Sequence, residues 1–310
     1  MNKIKNYLLT FIIFSLIILL FKYNYLLQTS VIDAVNLWIN KVFPTLFIMF
    51  IINDLIINLN LLDNISKVIN PLFNKIFKTT GCSSNVFLLS IFSGTPSSAF
   101  IIKEMINTNK ISLNDANKLI AYTFFSNPLF LYEILSISFN KYIVFKIIII
   151  HYLSNLIIGL IFRNKNCIIN NMNIYEKKQN IKNLFVLLPG AIKKSLDTLV
   201  IILGTIVFYM IITNIIMTIV PLNNLLETIL KGILEITQSL NILNNLNSSS
   251  IIKEIIAISI ISFGGLSIHT QVLSIISDTN IKYKNFFIGR LLHVLISTIS
   301  YLFLYFCISS

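Results

Sequence analysis

The chain has 310 residues, of which 55% are hydrophobic and 12% charged, with a formal net charge of +12 and a mean hydropathy of +0.82. A soluble domain carries roughly 25% charged residues, so this chain has too little polar surface to cover a globule, and its excess Ile, Leu and Phe must face lipid. The positive charge does not point to nucleic acid, because Lys and Arg sit mostly in short connectors between apolar runs, as in membrane proteins, with no basic stripe interleaved with aromatics.

In chain order, the first apolar run covers about 6–27. It resembles a signal peptide, but its core is long and no small-residue cleavage site follows, so it reads as a retained helix in an N-terminal unit, 1–30. A second helix is expected over 31–60, with Pro44 and the polar pair Asn53-Asp54 inside it. Residues 62–82 are amphipathic and read as an interfacial element. An apolar stretch near 85–106 is interrupted by SGTPSSA at 93–99. Apolar segments follow at 119–139, which contains Ser126-Asn127-Pro128, and at 142–162. The polar linker 163–183 is basic, with Arg163, Lys165, Lys177, Lys178 and Lys182 against Glu176. A long apolar segment fills 184–220, an amphipathic stretch rich in Asn and Ser covers 221–250, a run broken by GGLSIH spans 251–277, and a last helix lies near 285–307.

The basic linker should be cytoplasmic, and Lys3 and Lys5 place the N-terminus on the same side. The five apolar runs between them make an odd number, so one must enter and return on the same face. Residues 85–106 fit best, because Gly94 and Pro96 interrupt them, and non-helical backbone at membrane depth survives only buried in protein or lining a wet cavity. FSGTPSSAFIIKEMINTNK overlays FGGLSIHTQVLSIISDTNI without a gap, Phe92 on Phe263 and Gly94 on Gly265. The expected fold is an all-α polytopic membrane protein with about six full crossings, two re-entrant broken helices and amphipathic interfacial helices. Residues 31–162 and 184–310 form its two inverted repeats, an arrangement known in secondary transporters.

Helix starts at the breaks supply unpaired amides and partial positive charge, and so could hold an anion without Lys or Arg in the membrane. Thr95 and Ser267 are the expected caps, with Pro96 at the first helical position. The candidate binding set is Ser93, Gly94, Thr95, Ser97, Ser98, Asn127, Gly264, Gly265, Ser267 and His269. Asp54, Glu133, Arg290 and His293 lie in apolar surroundings and are candidates for coupling or for structural ion pairs. Small residues could instead simply let helices pack closely, which leaves open a non-transporting scaffold. No cofactor is implied. Cys82, Cys167 and Cys307 lie far apart, which argues against a metal cage or disulfide framework. His151, His269 and His293 lack metal-ligand spacing, and an enzyme is not expected, although Ser97 or Ser98 with His269 would be the residues of a dyad.

SGTPSSA, FFSNPLF at 124–130, LEIT at 234–237, and SFGGLSIHTQV at 262–272 followed by Arg290 and His293 together resemble the YlbJ-type sporulation integral membrane proteins, within the wider group carrying nucleoside-recognition Gate domains. The resemblance covers roughly 30–305. Members are implicated in carrying dipicolinic acid across the outer forespore membrane, so the resemblance implies an organic-anion transporter, with a nucleoside as the alternative solute. The family's first motif reads nearer SGYPSGAK; here Thr95, Ser98 and Phe100 stand in its Tyr, Gly and Lys places, which removes a positive charge near the expected anion site.

Overall fold

A computed structural model describes residues 2–59, 61, 63–163 and 183–309, which are mostly helical, with no strand among them. Most of the basic linker, including Lys165, Lys177, Lys178, Lys182 and Glu176, lies outside the described residues, and so do the side chains of Lys3 and Lys5.

Helix α1 (Asn2–Lys22) ends at Tyr23, and α2 (Asn24–Leu37) passes through a π-helical turn, Trp38–Val42, into α3 (Phe43–Asn58). The second long helix therefore begins at Asn24, not at residue 31. The π turn sits where Pro44 offers no N–H to the carbonyl four residues before it, and the N–H of Phe43 reaches back to the Trp38 carbonyl instead. Helix α4 (Asp63–Phe77) is amphipathic; it buries Phe73 and Phe77 while Val68 and Leu72 stay exposed, as expected of an interfacial helix.

The expected interruption of 85–106 is present as α5 (Ser83–Ser93) and α6 (Ser97–Asn107). The run at 119–139 is not one crossing but two short helices, α7 (Leu113–Tyr122) and α8 (Pro128–Leu135), separated by the extended TFFSN segment; α9 (Lys141–Ile161) follows. The second half holds α10 (Leu184–Ile219), α11 (Asn224–Leu234), α12 (Ile236–Ile242), α13 (Ser250–Phe263), α14 (Gly265–Ile276) and α15 (Tyr283–Ser309). Among the described residues, five segments are long and apolar enough to cross a membrane: Asn24–Asn58, Lys141–Ile161, Leu184–Ile219, Ser250–Ile276 and Tyr283–Cys307.

Packing relates the two halves in a different register from the gap-free overlay. Helix α5 lies against α3, α6 and α7, as α11 lies against α10, α12 and α13; α9 rests on α7 and α8 as α15 rests on α13 and α14. The break after Ser93 thus corresponds to the one at Glu235, and TFFSN corresponds to Gly264. The sequence carries a matching signature, since His151 and Asn155 on α9 have the same four-residue spacing as His293 and Ser297 on α15. The overlay of Phe92 on Phe263 joined two glycine-marked breaks that are not equivalent, because the break at Glu235 contains neither Gly nor Pro.

Candidate functional site

Four interrupted helices, two from each half, knit together at their breaks. Gly94 takes φ +71° and ψ −175°, a region essentially reserved for glycine, and its α-carbon face abuts Asn127: an added Cβ would lie 2.7 Å from the Asn127 nitrogen. The Thr95 N–H donates to the Phe125 carbonyl at 2.9 Å. Gly264, at φ +90°, packs on the Phe124 ring, and Gly265 packs against Ile236 N and the Gly232 carbonyl.

The four helix starts differ in capping. At α8, the Asn127 side chain accepts from the Leu129 and Phe130 amides and donates to the Phe92 carbonyl at 2.8 Å. At α12, the Glu235 carboxylate accepts from the Gln238 amide at 2.8 Å and from the Thr237 hydroxyl. Helices α6 and α14 have no side-chain cap. Pro96, joined to Thr95 by a cis peptide bond, holds the cap position of α6, and Gly264 holds that of α14. Thr95 and Ser267 are therefore not the caps that the sequence suggested: Thr95 is turned toward the Phe125 carbonyl, and Ser267 falls in the first turn of α14.

An open-sided cavity of about 50 Å³ lies where these breaks meet, room for a few water molecules. Its polar lining is Thr95, Ser126, Asn127, Glu235, Thr237, Ser267 and Gln271, backed by apolar residues of α3 and α10 such as Leu46 and Ile206. No Lys or Arg lines it. The Ser267 hydroxyl is buried among the lining residues without a hydrogen-bond partner, although buried polar groups are almost always paired. A second, wider cavity shares Pro96 and Gln271 with the first and adds Asn53, Asp54, Ser97, Lys194, Asp197 and Thr198. The Asn53 side-chain oxygen is likewise buried and unpartnered.

Of the candidate binding residues, Thr95, Asn127 and Ser267 line the first cavity and Ser97 the second. Ser93 and Ser98 are buried beside the break, with the Ser93 hydroxyl donating back to the Leu89 carbonyl. Gly94, Gly264 and Gly265 permit the close approach of chain to chain. His269 lines neither cavity; its ring nitrogens contact the Tyr283 hydroxyl at 2.7 Å and the Phe263 carbonyl at 3.1 Å, and neither Ser97 nor Ser98 is its partner. Asp54 pairs with Lys194, and Glu133 with Lys41, each at 3.1 Å.

Arg290 and His293 are fully buried and hydrogen-bonded to each other at 2.8 Å. Arg290 pairs with no carboxylate among the described residues. It donates instead to the Ala121 carbonyl at 2.8 Å, the Ser262 carbonyl at 3.5 Å and Asn155 Oδ1 at 3.2 Å, with its guanidinium 3.9 Å from the Phe124 ring centre. It thereby sets a positive charge against the carbonyl-rich ends of α7 and α13, the favourable sign for helix C-termini. From α9, His151 accepts from the Ser126 amide, Tyr152 donates to the Ser126 carbonyl, and Asn155 donates to the Phe124 carbonyl. These bonds take up the Ser126 N–H and the carbonyls of Phe124 and Ser126 in TFFSN. At the far end of α6, Lys103 is 2.8 Å from Asp278 and its hydrogen bond holds that carboxyl below its ordinary range.

Sequence reasoning did not place Glu235, Thr237, Gln271 or Ser126 in the binding set. The LEIT segment offered the signal, an acid and a hydroxyl beside apolar residues, but it lies in an amphipathic stretch and entered the sequence reading only through the family resemblance.

No family model matches the chain, and no solved structure matches it. The chain is 27% identical over 301 residues, covering 84% of its own length and 72% of the relative's, to the sporulation integral membrane protein YlbJ of Bacillus subtilis (strain 168). With its largely helical, multi-pass build, the chain is similar along most of its length to the YlbJ-type integral membrane proteins.

Proposed function

We propose that the chain is a membrane transporter that carries a small polar solute, an organic anion such as dipicolinate, through the cavity between the four breaks. One observation carries this reading: the uncapped starts of α6 and α14 pack together beside a cavity that holds an unpartnered, buried Ser267 hydroxyl. The unpartnered hydroxyl and the positive ends of two helices favour a bound carboxylate. The relative's name places it in sporulation, and for this chain the corresponding setting is the outer forespore membrane. Rocking of the two halves about the shared cavity would give alternating access.

A nucleoside-type solute is the second reading, favoured by Glu235, Thr237, Ser126 and Gln271 on the lining, which suit hydroxyl and amide groups. Liposomes containing the purified protein test both. Saturable uptake of labelled dipicolinate, lost in Gly94→Leu and Gly265→Leu variants that still insert, is the expected result. Uptake of uridine instead selects the second reading; normal uptake by both variants removes the site assignment; uptake of neither solute leaves a non-transporting scaffold.

A further inference from the structure

We propose that Glu235 is the residue through which solute binding is coupled to a proton: an anionic solute occupies the cavity only when this carboxyl is protonated. The inference rests on the organic-anion reading and deepens it. Glu235 is buried on the lining of the cavity, between helix starts that favour negative charge, yet it is itself an acid. The Thr237 hydroxyl and the Gln238 amide donate to Oε2 and the Thr237 amide also donates to the carboxylate; with about four acceptor sites, the group keeps room for a proton shared with a solute carboxylate. Two carboxylates cannot both stay ionised at hydrogen-bond distance in a water-poor site; one takes up a proton. The shared proton then turns repulsion into an O–H···O⁻ hydrogen bond.

Apart from Asp197, the charged groups on the elements around Glu235 are committed elsewhere. On its own helix pair, Lys231 is paired with Glu227 at 2.6 Å. On α13, Glu254 takes the hydroxyls of Ser250 and Tyr301, and Lys253 donates to the Asn244 carbonyl. His269 on α14 is held by Tyr283 and Phe263. Glu133 on α8 pairs with Lys41, and Lys194 on α10 pairs with Asp54. Asp197, also on α10, is exposed on the wider cavity. None of these groups makes an ion pair with Glu235. A protonated Glu235 keeps its cap on α12, since one oxygen still accepts the Gln238 amide.

The test uses full-length protein in liposomes loaded with a pH-sensitive dye, with labelled dipicolinate outside at a series of pH values. Wild-type protein is expected to acidify the lumen as dipicolinate enters, at about one proton per solute. Its apparent affinity should rise about tenfold per unit fall in pH wherever the empty site is deprotonated, the slope one linked proton imposes. Glu235→Gln should flatten that pH slope and abolish the acidification, and Glu235→Asp, which keeps a carboxyl, should retain both. Wild-type dipicolinate uptake without acidification overturns this inference and leaves the transport reading standing; so does an unchanged proton-to-solute ratio in Glu235→Gln. Should wild-type protein take up no dipicolinate at any pH, the anion reading falls and this inference falls with it.

Discussion

Replacing Gly94 with Ala tests whether the break after α5 needs the geometry described. Any side chain at φ +71° and ψ −175° costs about 1–3 kcal/mol in backbone strain. The added Cβ would also stand 2.7 Å from the Asn127 nitrogen and 3.1 Å from its Cβ. Asn127 cannot easily retreat, because its side chain is fixed by Phe92, Leu129 and Phe130. Overpacking of that kind adds about 1–3 kcal/mol. The sum, roughly 2–6 kcal/mol, is a large share of a typical folding free energy of about 5–15 kcal/mol. Gly204 in α10 is the control: a Cβ there meets nothing within 4 Å, and Ala should improve the helix by up to about 1 kcal/mol. Thermal unfolding of the two purified variants in one detergent measures the contrast. Gly94→Ala should melt well below wild type and Gly204→Ala at or above it. Equal melting of the two variants would refute the glycine-dependent contact between the breaks.

Ser267→Ala should leave thermal stability unchanged or slightly raised, because the buried hydroxyl it removes has no hydrogen-bond partner in the protein; it should weaken dipicolinate affinity several-fold in equilibrium binding, the worth of about one hydrogen bond. Arg290→Gln should destabilise the fold by more than about 3 kcal/mol, since several charge-assisted bonds to buried carbonyls are lost together, and Arg290→Lys should not restore it, because an ammonium cannot reach several acceptors while stacking on Phe124; melting temperatures in detergent check both. Lys194→Ala should shift stability by less than about 1 kcal/mol, because its pair with Asp54 is half open to solvent on the lysine side; a large loss would show that the pair holds α3 to α10.

Much of the fold was legible in the sequence because long apolar runs and breaker residues are local signals. Gly94 with Pro96, and Gly264 with Gly265, announced two of the four interruptions through rules about backbone freedom or a missing donor, whereas Pro128 stood in a run read as one apolar segment. Glu235 announced nothing of the kind: its break is an extended residue, φ −145° and ψ 114°, between two helices, and only packing against Gly265 reveals its place. The same gap put the repeat in the wrong register. For the site, the residue types were visible but their commitments were not. Asn127 and His269 looked like free polar groups at depth, whereas their hydrogen bonds are taken by Phe92, Phe263 and Tyr283. Ser267 was read as a helix cap and is instead the hydroxyl left over. Arg290 sits at the ends of α7 and α13, more than a hundred residues from Ala121 in sequence, a separation no local pattern spans.

The central claim is that the four breaks enclose one wet site that a solute occupies. Cysteine accessibility tests it most directly. In a background lacking Cys82, Cys167 and Cys307, Ile206→Cys lies on the cavity wall and Val200→Cys on the exposed face of the same helix. A small charged thiol reagent should label Ile206→Cys in liposomes, dipicolinate should slow that labelling, and Val200→Cys, facing lipid, should stay unlabelled. Labelling of neither position, or labelling of Ile206→Cys that dipicolinate and uridine both leave unchanged, would contradict the account.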